Sequence, residues 1–226
     1  MARMGKFEIY GGRDPRVLPA YSFVEAARYL RIPVETLRNW SLGKESARPV
    51  FQMDDPARRF LSFMNLVEAH VLTGIRKKHG VKLQMIRPAL DYVRKRFETP
   101  RPLIDQSFQT DGRCLFIEEI EKKIVNASRG GQLEIKDFLP QLERIDRDAS
   151  GLPVKLYPFT RPVEEAGAPK IVVVNPLVSF GRPSVRGVAT SVIMSRFRAG
   201  DSPAHLASDY GLNPEEIEEA LRCEAA

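Results

Sequence analysis

Apolar residues near the start of the chain recur at the spacing of a short amphipathic helix. They are Phe23, Ala26, Ala27 and Leu30. Ser22 lies at the expected N-cap, and Glu25 three residues later completes a capping-box sequence. Pro33 cannot continue the helical hydrogen bonds and disfavours a helical conformation in the residue before it. A second short helix is therefore predicted from Val34 to about Leu42.

Two short helices joined by a tight turn form a helix-turn-helix, an arrangement that many proteins use to read DNA. Val34 and Leu37 are placed to face the first helix. Thr36, Arg38 and Asn39 then point outward, and such side chains bond to phosphates and base edges in a major groove. The predicted DNA-binding residues are Arg28, Thr36, Arg38, Asn39, Trp40 and Arg48. A plain helical hairpin has the same apolar pattern, so that alternative stays open.

The pattern after the second helix predicts a loop and then a helix pair. In a winged helix-turn-helix the wing would occupy residues 43–55, where Arg48 either contacts a phosphate or minor groove or is simply solvated. The apolar stripes of the next two helices are Phe63, Leu66, Val67, Val71 and Ile75, then Leu83, Ile86, Leu90, Val93 and Phe97. Gly80 is expected to end the first of them, and Pro88 to kink the second. Such a pair either joins two subunits or closes only its own core.

The rest of the chain alternates between strand-like and helical patterns. Residues 99–112 are polar and contain prolines, as a linker does. Short β-type runs are predicted at residues 115–117, 124–125, 132–134, 154–157 and 171–174, with a helix at 136–144. Three helices are predicted at residues 190–199, 202–210 and 213–222, the last two opened by a cap residue and a proline.

These patterns predict a mainly α chain with small β elements, an α+β fold, in three parts. Residues 1–98 form a winged helix-turn-helix DNA-binding domain with a helix pair. Residues 99–165 form a β-containing middle segment with linkers, and residues 166–226 form a small three-helix domain.

Charge is divided unevenly along the chain. The formal net charge is +6, from 35 Lys and Arg against 29 Asp and Glu. Residues 1–100 carry 19 basic and 10 acidic side chains, whereas residues 101–226 carry 16 and 19. A basic first half suits contact with phosphates, although arginines that only solvate long helices give the same count.

The end of the chain is acidic. Its carboxylates are Asp201, Asp209, Glu215, Glu216, Glu218, Glu219 and Glu224, against Arg222 alone. Carboxylates repel phosphates, so the helices that carry them are not predicted to read DNA. A surface for a basic protein partner suits them better, and a merely solvated acidic face is the alternative.

Several classes of protein are excluded by what the sequence does not contain. The histidines (His70, His79 and His205) and the cysteines (Cys114 and Cys223) are scattered, so no metal or other cofactor is predicted. His70 is expected in a core or interface. The chain has no nucleophile elbow, P-loop or dinucleotide fingerprint and is not expected to be an enzyme. It shows neither a membrane-spanning run nor a signal peptide, which predicts a cytoplasmic protein.

Two resemblances add to this reading. Residues 21–97, with the turn TLRNW at Thr36 to Trp40, are similar to winged helix-turn-helix domains of the MerR-like type. The segments GRPSVRGVAT and FRAGDSPAHLASDYGLNPEEIEEAL resemble a small bacterial domain of unknown function, family 433. Val188, Ala189 and Thr190 stand where that family has Thr-Arg-Ile, which puts any role of that arginine in doubt.

The order of these domains resembles VapB-type antitoxins of bacterial toxin–antitoxin operons. The resemblance implies a protein that binds and silences a PIN-like ribonuclease toxin and, with it, binds operator DNA to repress its own operon. A homodimer is expected as well, because a helix pair beside a DNA-reading unit commonly joins two subunits. Arg182 and Arg186, on the loop bounded by Gly181 and Gly187, are the candidate toxin-binding residues. Two alternatives remain: a stand-alone MerR-like regulator with a ligand- or protein-binding C-terminal half, and an adaptor that has lost DNA binding.

Overall fold

A computed structural model describes residues 8–44, 47–79, 82–105, 142–161 and 168–225, with the backbone alone for 77–79. The helices in these ranges are α1 Phe23–Leu30, α2 Val34–Ser41, α3 Phe63–His79, α4 Leu83–Arg96, α5 Thr190–Arg198, α6 Pro203–Tyr210 and α7 Pro214–Glu224. The strands are β1 Ile145–Arg147, β2 Pro153–Leu156, β3 Ser184–Val185 and β4 Val188–Ala189. The fold is therefore mainly α with short antiparallel strands, as predicted.

The first two helices form where the sequence places them, because local hydrogen bonds define their ends. Ser22 accepts from the Glu25 backbone N–H at 3.2 Å, and the Glu25 carboxylate accepts from the Ser22 N–H at 2.9 Å. Helix α1 ends at Arg31, whose φ of +54° is left-handed and whose N–H bonds back to the last turn. Pro33 then caps α2. The predicted capping box and turn are confirmed.

Helix α3 is the centre of the N-terminal core. Every residue from Phe63 to Ile75 is buried, including the polar ones, rather than only the predicted apolar stripe. A bridge between Tyr21 and Leu61 fixes the start of α3 beside the start of α1, with an N–H to carbonyl distance of 2.8 Å. Helix α4 buries Ile86, Ala89, Leu90 and Val93. The helix pair was expected either to join two subunits or to close only its own domain core. The structure supports the second alternative, because the described part of α3 leaves no face exposed for another subunit.

A buried polar cluster attaches the chain after α4 to this core. Glu68 of α3 pairs with Arg101 at 2.7 Å, and Arg101 also pairs with Asp54. Burial raises the pKa of Glu68 to about 7, although Arg101 and Asn65 act to lower it. Leu103 and Ile104 are buried as well. The prediction of a linker from residue 99 is therefore wrong for residues 99–105, which pack into the fold.

The described part of the middle segment is a small sheet. Strands β1 and β2 are antiparallel, which confirms the strand predicted at 154–157. The strand predicted at 171–174 makes only single bridges, from Val174 to Leu156 and from Val173 to Ser184. His70 stacks on Phe159 with 5.7 Å between ring centroids and is a core residue, as predicted. The runs predicted at 115–117, 124–125 and 132–134, and most of the helix at 136–144, lie outside the described residues.

The last three helices form a compact group that packs on the first. Ser202 caps α6 and Asn213 caps α7, each accepting from a backbone N–H three residues on, which confirms the predicted helix openings. Helix α7 contacts α5, α6 and also α1. The C-terminal helices therefore lie against the helix-turn-helix. Within the described ranges, no helix has the length and apolarity needed to cross a membrane.

Candidate nucleic-acid interface

The outward side of α2 remains accessible. The side chains of Glu35 and Arg38 are 71% and 50% exposed, and they lie 3.7 Å apart as an i,i+3 ion pair. Thr36 and Asn39 are half-buried on the same short helix. Leu37 is fully buried. Helix α2 thus presents a ridge of polar side chains of the kind that bond to base edges and phosphates.

Trp40 does not belong to this ridge. Its side chain is 1% exposed and lies in the core, with the Arg76 guanidinium 5.8 Å from the ring centroid. Its backbone carbonyl accepts from the Val50 N–H at 2.7 Å, which fastens the following loop to α2. The prediction of Trp40 as a DNA contact needs correction, because a buried indole cannot reach a duplex.

Arg28 also has a different role from the one predicted. It pairs with Glu224 of α7 at 2.9 Å and lies 5.2 Å from the centroid of the Tyr29 ring. Burial acts to lower the pKa of Arg28, but the Tyr29 hydroxyl and the Glu224 carboxylate outweigh it and raise the pKa. Burial raises the pKa of Tyr29 to about 12. Arg28 therefore joins the helix-turn-helix to the C-terminal helices instead of standing free for a phosphate.

The segment at the position of a wing is held against α4. Lys44 and Ala47 form an antiparallel bridge at its start. Arg48 is 66% exposed and pairs with Asp91, and Arg87 donates from Nε to the Arg48 carbonyl at 3.0 Å. The segment after α2 and helix α4 thus bring Arg48 and Arg87 together. Sequence reasoning did not single out Arg87, because nothing local shows that it meets the segment after α2.

The two arginines predicted for toxin binding differ in their surroundings. Arg186 is 65% exposed but pairs with Glu216 of α7 at 2.7 Å. Arg182 is exposed and has no ion-pair partner among the residues that the structure describes. Of the two, Arg182 is the one whose charge is available to a partner.

The acidic end of the chain is not a free anionic surface. Each of its seven carboxylates pairs with a basic side chain of the same chain, and the distances run from 2.5 to 3.8 Å. The pairs are Asp201 and Asp209 with Arg196, Glu215 and Glu219 with Arg161, Glu218 and Glu219 with Arg222, Glu216 with Arg186, and Glu224 with Arg28. Glu215 and Glu218 are still more than half exposed, so an acidic face for a basic partner stays a prediction. These charges hold the C-terminal helices to one another and to the rest of the fold.

The fold and the exposed ridge together define a class of protein: a helix-turn-helix protein that carries a small three-helix domain docked on its first helix. Within the described ranges, no group of three His, Cys, Asp or Glu side chains is placed to hold a metal ion.

Comparison with known proteins agrees with this class. Residues 19–90 match the family described as "Putative DNA-binding HTH domain", and residues 172–222 match the one described as "Protein of unknown function (DUF433)". The "Putative antitoxin VapB45" of Mycobacterium tuberculosis is 28% identical over 238 residues, which cover 92% of this chain and 95% of that protein. The "Uncharacterized protein Rv2308" of the same organism is 27% identical over 214 residues, 89% of this chain and 88% of that protein.

A solved structure extends the comparison to the fold. The X-ray crystal structure of Rv2018 from Mycobacterium tuberculosis has a TM-score of 0.67 and 28% identity, covering 90% of this chain and 98% of that one. The chain thus joins an N-terminal helix-turn-helix that matches one family to a C-terminal segment that matches a family of unknown function. It is similar to the protein described as "Putative antitoxin VapB45" along nearly its whole length, which confirms the resemblance. None of these descriptions names an enzyme.

Proposed function

We propose that this protein is the antitoxin of a bacterial toxin–antitoxin pair, which neutralises a PIN-like ribonuclease toxin and represses its own operon by binding operator DNA. The observation that carries the proposal is the similarity to an antitoxin over 92% of this chain and 95% of that protein. A match over both domains supports a shared role better than a helix-turn-helix alone would.

The DNA interface in this proposal is smaller than the one expected from sequence. Thr36, Arg38 and Asn39 face the bases, and Arg48 with Arg87 contacts phosphate beside the wing. Glu35 shares the ridge with Arg38. Its carboxylate is repelled by phosphates and accepts from the amino group of cytosine, so it favours particular base sequences. Arg28 and Trp40 are left out because both are engaged inside the protein.

A homodimer belongs to the proposal for a geometric reason. Helix α2 has eight residues and presents only a few side chains to a groove. A dimer that reads two half-sites one helical turn apart doubles the contacts, which is how helix-turn-helix proteins gain specificity. The dimer contact has to lie away from α3, because its described part is buried within the protomer.

The proposed DNA binding is tested with DNA from upstream of the protein's own gene. Replacing Arg38 and Asn39 with alanine should weaken binding at least about tenfold, since each base contact contributes roughly 1–3 kcal/mol. Arg198→Ala is the matched control, because Arg198 is an exposed arginine on α5. Affinity should fall steeply with salt, since bound arginines release counterions from the phosphates. Equal binding by the double variant, or a flat salt response, would contradict DNA reading by α2.

The proposed neutralisation of a toxin is tested by co-expression with the product of the adjacent reading frame. The full-length chain should restore growth if that product is toxic, and Arg182→Glu should restore it less well than Arg198→Glu does. A neighbouring product that is harmless and does not bind the chain would favour the stand-alone regulator instead.

A further inference from the structure

The loop between β-bridge residues 173 and 184 contains a strained turn. Ser179, Phe180 and Gly181 have φ angles of +49°, +53° and +78°, so three consecutive residues are left-handed. Glycine adopts this conformation freely, but a phenylalanine in it is a genuine outlier. Strain of this kind persists only where the surrounding structure determines it, and it concentrates at binding sites.

The surroundings of the turn are rigid. The Gly181 N–H donates to the Val178 carbonyl at 2.9 Å, and the buried Tyr21 hydroxyl donates to the Gly181 carbonyl at 2.8 Å. A Cβ at Gly181 would lie 2.5 Å from the Tyr21 hydroxyl, so the Tyr21 side chain packs directly on the Gly181 backbone. The Ser179 hydroxyl donates to the Gly187 carbonyl at 3.3 Å. The turn is therefore held in its conformation from both sides before any partner arrives.

This strained turn displays an apolar ring to solvent. Phe180 is 79% exposed, the largest value for a bulky apolar side chain in the described ranges, and the nearby Leu177 is 51% exposed. Exposing a phenyl ring to water does not stabilise the fold. The conformational strain of the turn is therefore not offset by burial of the Phe180 ring within the protomer. Rigid aromatic side chains are the usual anchors of protein interfaces, because little conformational entropy is lost when they bind.

A recess lies directly beside the ring. It is a cleft of about 340 Å³ lined by Tyr10, Pro15, Tyr21, Tyr29, Phe180 and Arg182. The Tyr10 hydroxyl donates to the Pro176 carbonyl at 3.0 Å, which ties the start of the chain to the loop. The surface therefore offers a projecting ring next to an aromatic hollow, and both N-terminal and C-terminal parts of the chain build it.

The charge around the recess indicates the kind of partner. Arg182 lines the recess, is exposed and has no ion-pair partner among the described residues. Glu25 lines it on the α1 side, where its carboxylate accepts from the Ser22 N–H and hydroxyl. The nearby Asp14 pairs with Arg16, which also pairs with Asp148. The positive charge left for a partner beside Phe180 is therefore that of Arg182, which complements a carboxylate.

We propose that Phe180 is the anchor through which this chain holds its protein partner, inserting into an apolar recess bordered by carboxylates that pair with Arg182. This inference rests on the proposed function, because it names the surface on which the toxin is held. The occupant is a protein that presents carboxylates to Arg182 and not DNA, since the recognition ridge on α2 is a separate surface.

Titration calorimetry with the purified product of the adjacent reading frame tests the inference. Phe180→Ala should weaken binding about 30-fold, the change that corresponds to a hot-spot loss of about 2 kcal/mol. Phe197→Ala is the matched control, because Phe197 is a 41% exposed phenylalanine on α5 and should bind as the wild type does. Phe180→Gly should weaken binding equally and raise the melting temperature, since glycine accepts the left-handed turn without strain.

The possible results separate the inference from the function on which it rests. If the wild-type chain does not bind the neighbouring product, the proposed function fails and the inference fails with it. If the wild type binds and Phe180→Ala binds equally well, only the docking surface is wrong. If Phe180→Ala instead converts a dimer of this chain alone into monomers in sedimentation experiments, the surface joins two copies and the inference is overturned.

Discussion

At the scale of single residues, burial changes the role of a carboxylate at the acidic end of the chain. Glu219 is completely buried and accepts hydrogen bonds from Thr160, Arg161 and Arg222. Burial acts to raise the pKa of Glu219, but these donors outweigh it and lower the pKa below its usual 4.5. A carboxylate that looks solvated in the sequence is therefore a structural ion.

Replacing Glu219 with glutamine should lower the free energy of unfolding at pH 7 by roughly 2–3 kcal/mol, since it removes one partner of a buried ion pair. The native pKa is lowered, so the stabilisation is complete above pH 4.5 and is lost as the pH falls through the native pKa. The difference in free energy of unfolding between wild type and variant, measured by urea denaturation, should therefore become smaller below about pH 4.5.

Glu218→Gln is the control for this prediction. Glu218 lies on the same helix and pairs with the same Arg222 at 3.1 Å, but its side chain is 56% exposed. The control should change stability by less than about 0.5 kcal/mol. Equal effects of the two variants would show that burial of Glu219 does not govern its contribution.

At the scale of elements, the helix-turn-helix depends on short-range hydrogen bonds. The Ser22 and Glu25 capping box begins α1, and the left-handed Arg31 ends it. Because α1 spans only eight residues, its end contacts are a large share of its stability. The predictions for α1, α2, α6 and α7 were confirmed because each rests on residues within one turn of the helix end.

Ser22→Ala should lower the free energy of unfolding by about 1 kcal/mol, because the N–H of Glu25 loses its acceptor. Ser195→Ala serves for comparison, since Ser195 is an exposed serine within α5 and alanine is the better helix former there. Chemical denaturation of both variants measures the difference. No loss of stability in Ser22→Ala would mean that packing alone holds the start of α1.

At the scale of the whole molecule, α7 packs against α1 and joins the two ends of the chain. Glu224 accepts from the Thr190 hydroxyl at 2.6 Å and pairs with Arg28 at 2.9 Å. The Tyr21 hydroxyl reaches Gly181 in the same region. Contacts between residues nearly two hundred positions apart thus place the C-terminal helices directly on the helix-turn-helix.

Arg28→Ala should lower stability without changing how DNA binding depends on salt. Arg28 pairs with a buried carboxylate, and an arginine so engaged releases no counterions from phosphate. Binding to the upstream DNA should therefore give the same slope of log affinity against log salt as the wild type. A slope shallower by about one would identify Arg28 as a phosphate contact after all.

The sequence by itself determined the helical elements, the turn, the caps and the outward position of Arg38, because these follow from residues three or four positions apart. Only the tertiary structure decided that Trp40 is a core residue, that Arg28 and Arg186 are ion-paired, and that the carboxylates of the acidic end pair with arginines of the same chain. The physical reason is the distance along the chain over which each property is decided. Periodicity records which residues share a face, but whether a side chain meets solvent or a distant partner depends on how the elements pack.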